Sequence, residues 1–206
     1  GTLGTKLNID RAILPIETAL RDTNDRIVTL PLEQTLPPHP SWDNLEILLK
    51  QTIDLKEFEG LVGFYLLNLQ NGNEIHFAYQ QGQEFEVKPD IAFTTASIIK
   101  IPILVSTYRR IDGEPEPETA NLIEKMIIES GNEAGDWLMQ RVIHEYRSPL
   151  LITDDMRSLG LENTFLAGHF YLGAPVLQKF ETPANTREDI STNPDVYNQS
   201  TPSDIG

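Results

Sequence analysis

The 206-residue chain contains no cysteine. That excludes a disulfide framework, a thiol nucleophile and cysteine-ligated metal. Its four histidines, His39, His76, His144 and His169, are dispersed, with none paired at ligand spacing, so no metal site is expected. No apolar run approaches the roughly 18 residues that a membrane-spanning helix needs, so no integral membrane segment is expected. Positive charge is scarce: 16 Lys and Arg stand against 31 Asp and Glu, for a formal charge of −15. Such a surface repels phosphate backbones, and nucleic acid is not an expected partner. The sequence also lacks a Gly-x-Ser-x-Gly elbow and any internal repeat. Its opening GTLGTKLNID lacks a basic end leading into an apolar stretch, so no signal peptide is visible there.

What is present fits one globular domain with an extension, at 39% hydrophobic and 23% charged residues. Residues 1–40 carry a weak apolar pattern (Leu7, Ile9, Ile13, Leu14, Ile16, Leu20) and end in the Pro-rich PLEQTLPPHP, which reads as an N-terminal extension or linker. Residues 41–206 are more ordered. Ser41 is positioned to cap a helix with Leu45, Leu48 and Leu49 on its apolar face. LVGFYLLNL and EIHFAYQ alternate as strands around an Asn71-Gly72 turn. Helices follow at the stretch beginning with Ser97, at ETANLIEKMIIES, at EAGDWLMQRVIHEY and near TDDMRSLG, before a long irregular stretch from Ala167 to Ser200. Trp42, Phe64, Tyr65 and Trp137 are expected in the core. The final STPSDIG places Thr201 as N-cap, Pro202 at the first helical position and Asp204 in the first turn. A helix is announced where the sequence stops, and only one convincing strand pair has been counted. The expectation is a fragment of a longer protein.

The stretch FTTASIIKIPI, residues 93–103, sets Ser97 and Lys100 three apart, on one face of a helix. Isoleucines almost all round predict that this helix is buried, and Pro102 loosens its first turn. A desolvated lysine favours the neutral amine, a base able to take the proton of a neighbouring hydroxyl. The plainer alternative is Ser97 as a cap with Lys100 reaching to water. A second candidate is Ser130-Gly131-Asn132, on a break between two helices. There a hydroxyl can relay a proton to a leaving nitrogen and an amide can bind a carbonyl, although the same residues also simply punctuate helices. Ser191-Thr192-Asn193 repeats the spacing inside a loop.

FTTASIIKIPI followed by IIESGNEAGDWLM resembles the penicillin-recognising serine enzymes, closest to class A β-lactamases, with their Ser-x-x-Lys and Ser-Asp-Asn motifs. LGLENT and the STPSDI helix start are similar too, so the resemblance spans about residues 41–206. It implies an α/β chain of α+β type: a β-lactamase-like antiparallel sheet packed with helices, an all-helical lobe, and C-terminal strands missing from this chain. By resemblance Ser97 is the acylated nucleophile, Lys100 its base or relay, Ser130 the proton shuttle and Asn132 a substrate binder. No cofactor is implied.

The implied reaction opens a β-lactam amide through an acyl-enzyme. The alternatives are a penicillin-binding peptidase or transpeptidase acting on D-Ala-D-Ala peptides, and a non-catalytic protein of the same fold. The partner is then a small-molecule β-lactam or a peptidoglycan-type peptide, with a C-terminal fragment possible to complete the fold. The location is the cell envelope, periplasmic or secreted. Three departures matter. Gly131 stands where the family has Asp. The chain ends before a Lys-Thr-Gly strand would arrive. FETPANTREDISTNPDVYNQ holds Glu181, Glu188, Asp189 and Asp195 but not the family's Glu-x-x-Leu-Asn setting for deacylation. Without such a carboxylate an acyl-enzyme would persist.

Overall fold

The computed structural model describes residues 4–23, 27–35 and 41–206. It divides into two compact units, Gly1–Leu45 and Glu46–Gly206. In the first, strand β1 (Gly4–Leu7) leads into helix α1 (Ile9–Arg21), and β2 (Leu32–Thr35) pairs antiparallel with β1. Asn8 starts α1 by accepting the Arg11 N–H on its side-chain oxygen at 3.0 Å. The Pro-rich linker reading falls partly on residues 36–40, which lie outside the described residues.

The second unit begins within helix α2 (Trp42–Leu55). As the sequence predicts, Ser41 Oγ accepts the Asn44 N–H, at 3.2 Å. Strands β3 (Val62–Leu67) and β4 (Glu74–Gln80) form the expected hairpin in the register Val62 opposite Tyr79. Its turn closes through Gly72, whose φ of +74° is costly for other residues. A third strand, β5 (Gln83–Phe85), extends this sheet on the far side of β4. α2 is tied to it by Tyr79, whose hydroxyl donates to Asp54 at 2.7 Å.

The count of a single strand pair needs correction. β6 (Phe93–Thr94) runs into a 3₁₀ turn (Ala96–Ile99) and helix α3 (Lys100–Tyr108). Then come α4 (Pro117–Ile128), α5 (Asn132–Leu138) continued by a π turn (Met139–Ile143), and α6 (Ser148–Ser158). β7 (Phe165–Leu166), β8 (Asn198–Ser200) and α7 (Pro202–Ile205) complete the chain. β6, β8 and β7 make a second three-stranded antiparallel sheet, with β8 in the middle. Among the described residues there are thus seven α-helices and three small antiparallel sheets, an α+β fold with a helical region. None of these helices is long and apolar enough to cross a membrane.

One core joins the helices: Ile99, Ile103, Met126, Ala134, Leu138, Met139, Ile152 and Leu166. Burying each large aliphatic side chain contributes about 1.5–3 kcal/mol. The expectation that α3 is buried all round is corrected here. Ile99 and Ile103 are sealed in, whereas Ile98 and Ile101 are each 50% exposed, so one face of the helix meets solvent. Trp137 is likewise outside the core, at 40% exposure under the Arg141 guanidinium. The predicted cap of α7 is present: Thr201 Oγ1 accepts the Asp204 N–H at 3.3 Å. Asp90 fixes the same turn by accepting from Ser203 N and Ser203 Oγ at 2.9 and 2.6 Å.

Candidate active site

The site starts with the short β6. Its pairing to β8 delivers Thr95, whose hydroxyl donates to Asn198 at 2.5 Å, and the chain then turns sharply at Ala96. Ala96 has φ +45°, a left-handed conformation that an L-residue adopts at a cost of roughly 1–2 kcal/mol. The next three residues wind as a 3₁₀ turn, because Pro102 has no N–H to continue an α-helical ladder back to Ile98. This winding puts Ser97 at the surface and Lys100 beneath it, 3% exposed.

Ser130 arrives from the other side. α4 ends when the Lys125 carbonyl accepts both the Glu129 and Gly131 N–H groups, with Ser130 between them at φ +55°. The reversal presses Gly131 against that carbonyl, and a Cβ at 131 would lie 3.3 Å from the oxygen. The helix-punctuation reading of this tripeptide is therefore true of its backbone, and the side chain has a further use. Lys100 Nζ lies 3.3 Å from Ser97 Oγ, 3.0 Å from Ser130 Oγ and 2.6 Å from the Ser130 carbonyl. The two hydroxyls are 2.9 Å apart, closing a triangle.

Burial pushes the Lys100 amine below its ordinary range, and no charged neighbour counters it. The contacts suit the neutral form. Two N–H bonds can go to the Ser130 carbonyl and hydroxyl while the lone pair accepts the Ser97 O–H, and the Ser130 O–H can point to Ser97 Oγ. Every polar atom of the triangle then has a partner, and a proton can pass around it. Asn132, the fourth residue singled out in the sequence, opens α5 and is exposed; it is not bonded to the triangle. Ser191 and Asn193 bond to each other instead, and Thr192 donates to the Ala92 carbonyl, so the second copy of the motif forms a loop turn.

The four loop carboxylates do not reach the triangle either. Asp189 pairs with Arg187, Asp195 accepts the Tyr197 N–H, and Glu181 and Glu188 are exposed. Among the described residues no carboxylate is hydrogen-bonded to Ser97, Lys100 or Ser130.

Sequence reasoning missed the neighbouring cluster. Asp136 on α5 accepts the Phe170 N–H at 2.8 Å, and His169 Nε2 lies 3.2 Å from Ser148 Oγ. Burial pushes the Asp136 carboxyl up, against the pull of the Phe170 N–H and the His169 charge. Burial pushes His169 down, against Asp136. The Phe170 ring faces Lys100 Nζ, 5.8 Å from centroid to nitrogen. Gly135, one residue before Asp136, was the available signal: a Cβ there would be 3.0 Å from the Phe170 ring. Among the described residues no three His, Asp or Glu side chains gather as a metal site requires.

Against known families, residues 46–120 match the model of the Beta-lactamase enzyme family. Over that span the chain is similar to the β-lactamases. The matched span includes the hairpin, Ser97 and Lys100, and ends before Ser130. It supports a serine hydrolase of β-lactamase fold and a small-molecule substrate in general terms. No curated protein matches the chain.

Proposed function

We propose that this β-lactamase-like chain forms an acyl-enzyme at Ser97 by opening the amide of a β-lactam. The observation that supports this most is the triangle of Ser97 Oγ, Lys100 Nζ and Ser130 Oγ, with edges of 3.3, 3.0 and 2.9 Å. In this reading the neutral Lys100 amine takes the Ser97 proton as Oγ attacks the carbonyl carbon. The C–N bond breaks, its electron pair goes to nitrogen, and Ser130 supplies the proton that nitrogen takes up. Lys100 then returns a proton to Ser130, and the site is ready for the second half-reaction. Asn132, exposed at the start of α5, would bind the substrate amide carbonyl.

A second reading is a penicillin-binding peptidase acting on D-Ala-D-Ala peptides. It is favoured by one observation: among the described residues no carboxylate contacts the triangle to activate a water. Acylation is then better equipped than deacylation, and a penicillin adduct would be long-lived. Either substrate class belongs to the cell envelope, which is the location we propose.

The test is the intact mass of the protein with a penicillin over time, beside Ser97→Ala. An adduct that forms and decays as ring-opened product accumulates supports the lactamase, and a lasting Ser97-dependent adduct supports the peptidase. No adduct on the wild-type chain would sink both, and would leave a protein of this fold without the chemistry.

A further inference from the structure

The Phe170 ring has no role in the scheme above, yet its face lies over the Lys100 amine, 5.8 Å from centroid to nitrogen. Three features hold it there. Asp136 accepts the Phe170 N–H at 2.8 Å and fixes the backbone. Gly135 provides the space, because any Cβ there would stand 3.0 Å from the ring edge. The helical core receives the rest of the side chain, packed against the Ile99–Leu138 cluster.

We infer that Phe170 is a positioning residue for the acylation proposed at Ser97: its ring, seated by Gly135 and Asp136, shields one side of the Lys100 amine from water beside the Ser97 hydroxyl. The inference rests on the reading of Lys100 as the base.

Two effects of an aromatic ring on a lysine oppose each other. Its face attracts an ammonium, by about 0.5–1 kcal/mol at exposed sites, within roughly 6 Å of the centroid. Its bulk also excludes water, and full burial can lower a lysine by about 3–5 pH units. At 5.8 Å the attraction is near the end of its range, whereas Lys100 is 3% exposed, so exclusion wins. The groups around the amine agree with this. α3 and the turn before it offer the Ser97 hydroxyl, and the end of α4 offers the Ser130 hydroxyl and carbonyl, all uncharged. Asp136 and His169, the titratable groups beside the ring, bond to the Phe170 N–H and approach Ser148, and neither acts on Lys100.

The experiment is an NMR titration of the lysine ¹³Cε resonances, with Lys100 assigned by the signal lost in Lys100→Arg. It needs no penicillin, so it is read whether or not the Ser97 adduct forms. In Phe170→Ala the Lys100 midpoint should rise by about one pH unit or more, and in Phe170→Leu it should stay near the wild-type value. If Phe170→Ala does not fold, Phe170→Gln, which brings polar atoms to the same place, should show the same rise. An unchanged midpoint would overturn the inference, since other groups would then be shielding the amine. A lower midpoint would overturn it too, by showing that the ring chiefly attracts the cation. Where the adduct does form, the pH midpoint of acylation should move upward with that of Lys100. A loss of rate equal at every pH would instead mark Phe170 as merely structural.

Discussion

Two polar clusters sit side by side in the helical region, and they handle buried charge in opposite ways. At Ser97, Lys100 and Ser130 the amine is met by neutral oxygens alone, and two of its three partners are hydroxyls that donate as well as accept. At Asp136 and His169 a carboxyl accepts a backbone N–H within the electrostatic reach of an imidazole, and the imidazole approaches a fully buried serine. The first cluster has an exposed member, Ser97; the second is closed, with Asp136 and His169 at 8% and 7% exposure. A network of reversible donors open to solvent can move protons, whereas fixed partners in a closed pocket hold two segments of chain together. The difference lies in the partners, since both clusters bury groups that titrate.

The largest expected effect cuts the first cluster. Lys100→Met should slow adduct formation by about 10²–10⁴-fold, the usual contribution of a general base, while thermal unfolding changes little because an apolar side chain fills the same buried space. Intact-mass kinetics and calorimetry on the same sample check both halves. Asp136→Ala should do the reverse and cost about 1–3 kcal/mol of stability in denaturant unfolding, since the Phe170 N–H loses its acceptor. Loss of stability in Lys100→Met comparable to that in Asp136→Ala would erase the contrast.

A smaller effect concerns pH. His169 is held below the ordinary histidine value of 6.5, so the unfolded chain binds its proton first as pH falls. Stability attributable to it is present above about pH 6.5 and declines as the pH drops through the depressed folded value. His169→Gln should flatten that acid-side decline in a series of unfolding curves, and an identical slope in both proteins would contradict the assignment. The smallest effect is expected at the repeated motif: Ser191→Ala should alter unfolding by no more than about 0.5 kcal/mol and acylation not at all, as for surface positions generally.

The first cluster was legible in the sequence because each of its two parts is a short recognisable motif, although 33 residues separate the two serines. Ser97 and Lys100 are three residues apart on one winding of chain, and Ser130 stands at a visible helix break. The hairpin and the Thr201 cap were legible for the same reason, each being a short pattern with a known geometry. The second cluster was not, because neither Asp136 nor Phe170 stands in a short motif of its own, and their 34-residue separation then leaves nothing in the sequence to join them. Nor were β6, β7 and β8, since strands of two or three residues are too short to alternate. The solvent face of α3 was hidden for another reason: a helix rich in isoleucine all round gives no sign of which isoleucines the core takes.

The backbone at Ser130 has a consequence for anyone evolving this protein in the laboratory. At φ +55° the position favours glycine, and the same holds for Ala96 at φ +45°. A library selected for survival of heating alone should therefore enrich glycine at both positions, each replacement relieving local strain on the order of 1 kcal/mol. At 96 the gain would leave the triangle's side chains in place. At 130 it would delete the hydroxyl that contacts both Lys100 and Ser97, and the hardiest clones would be those without the proton donor proposed above.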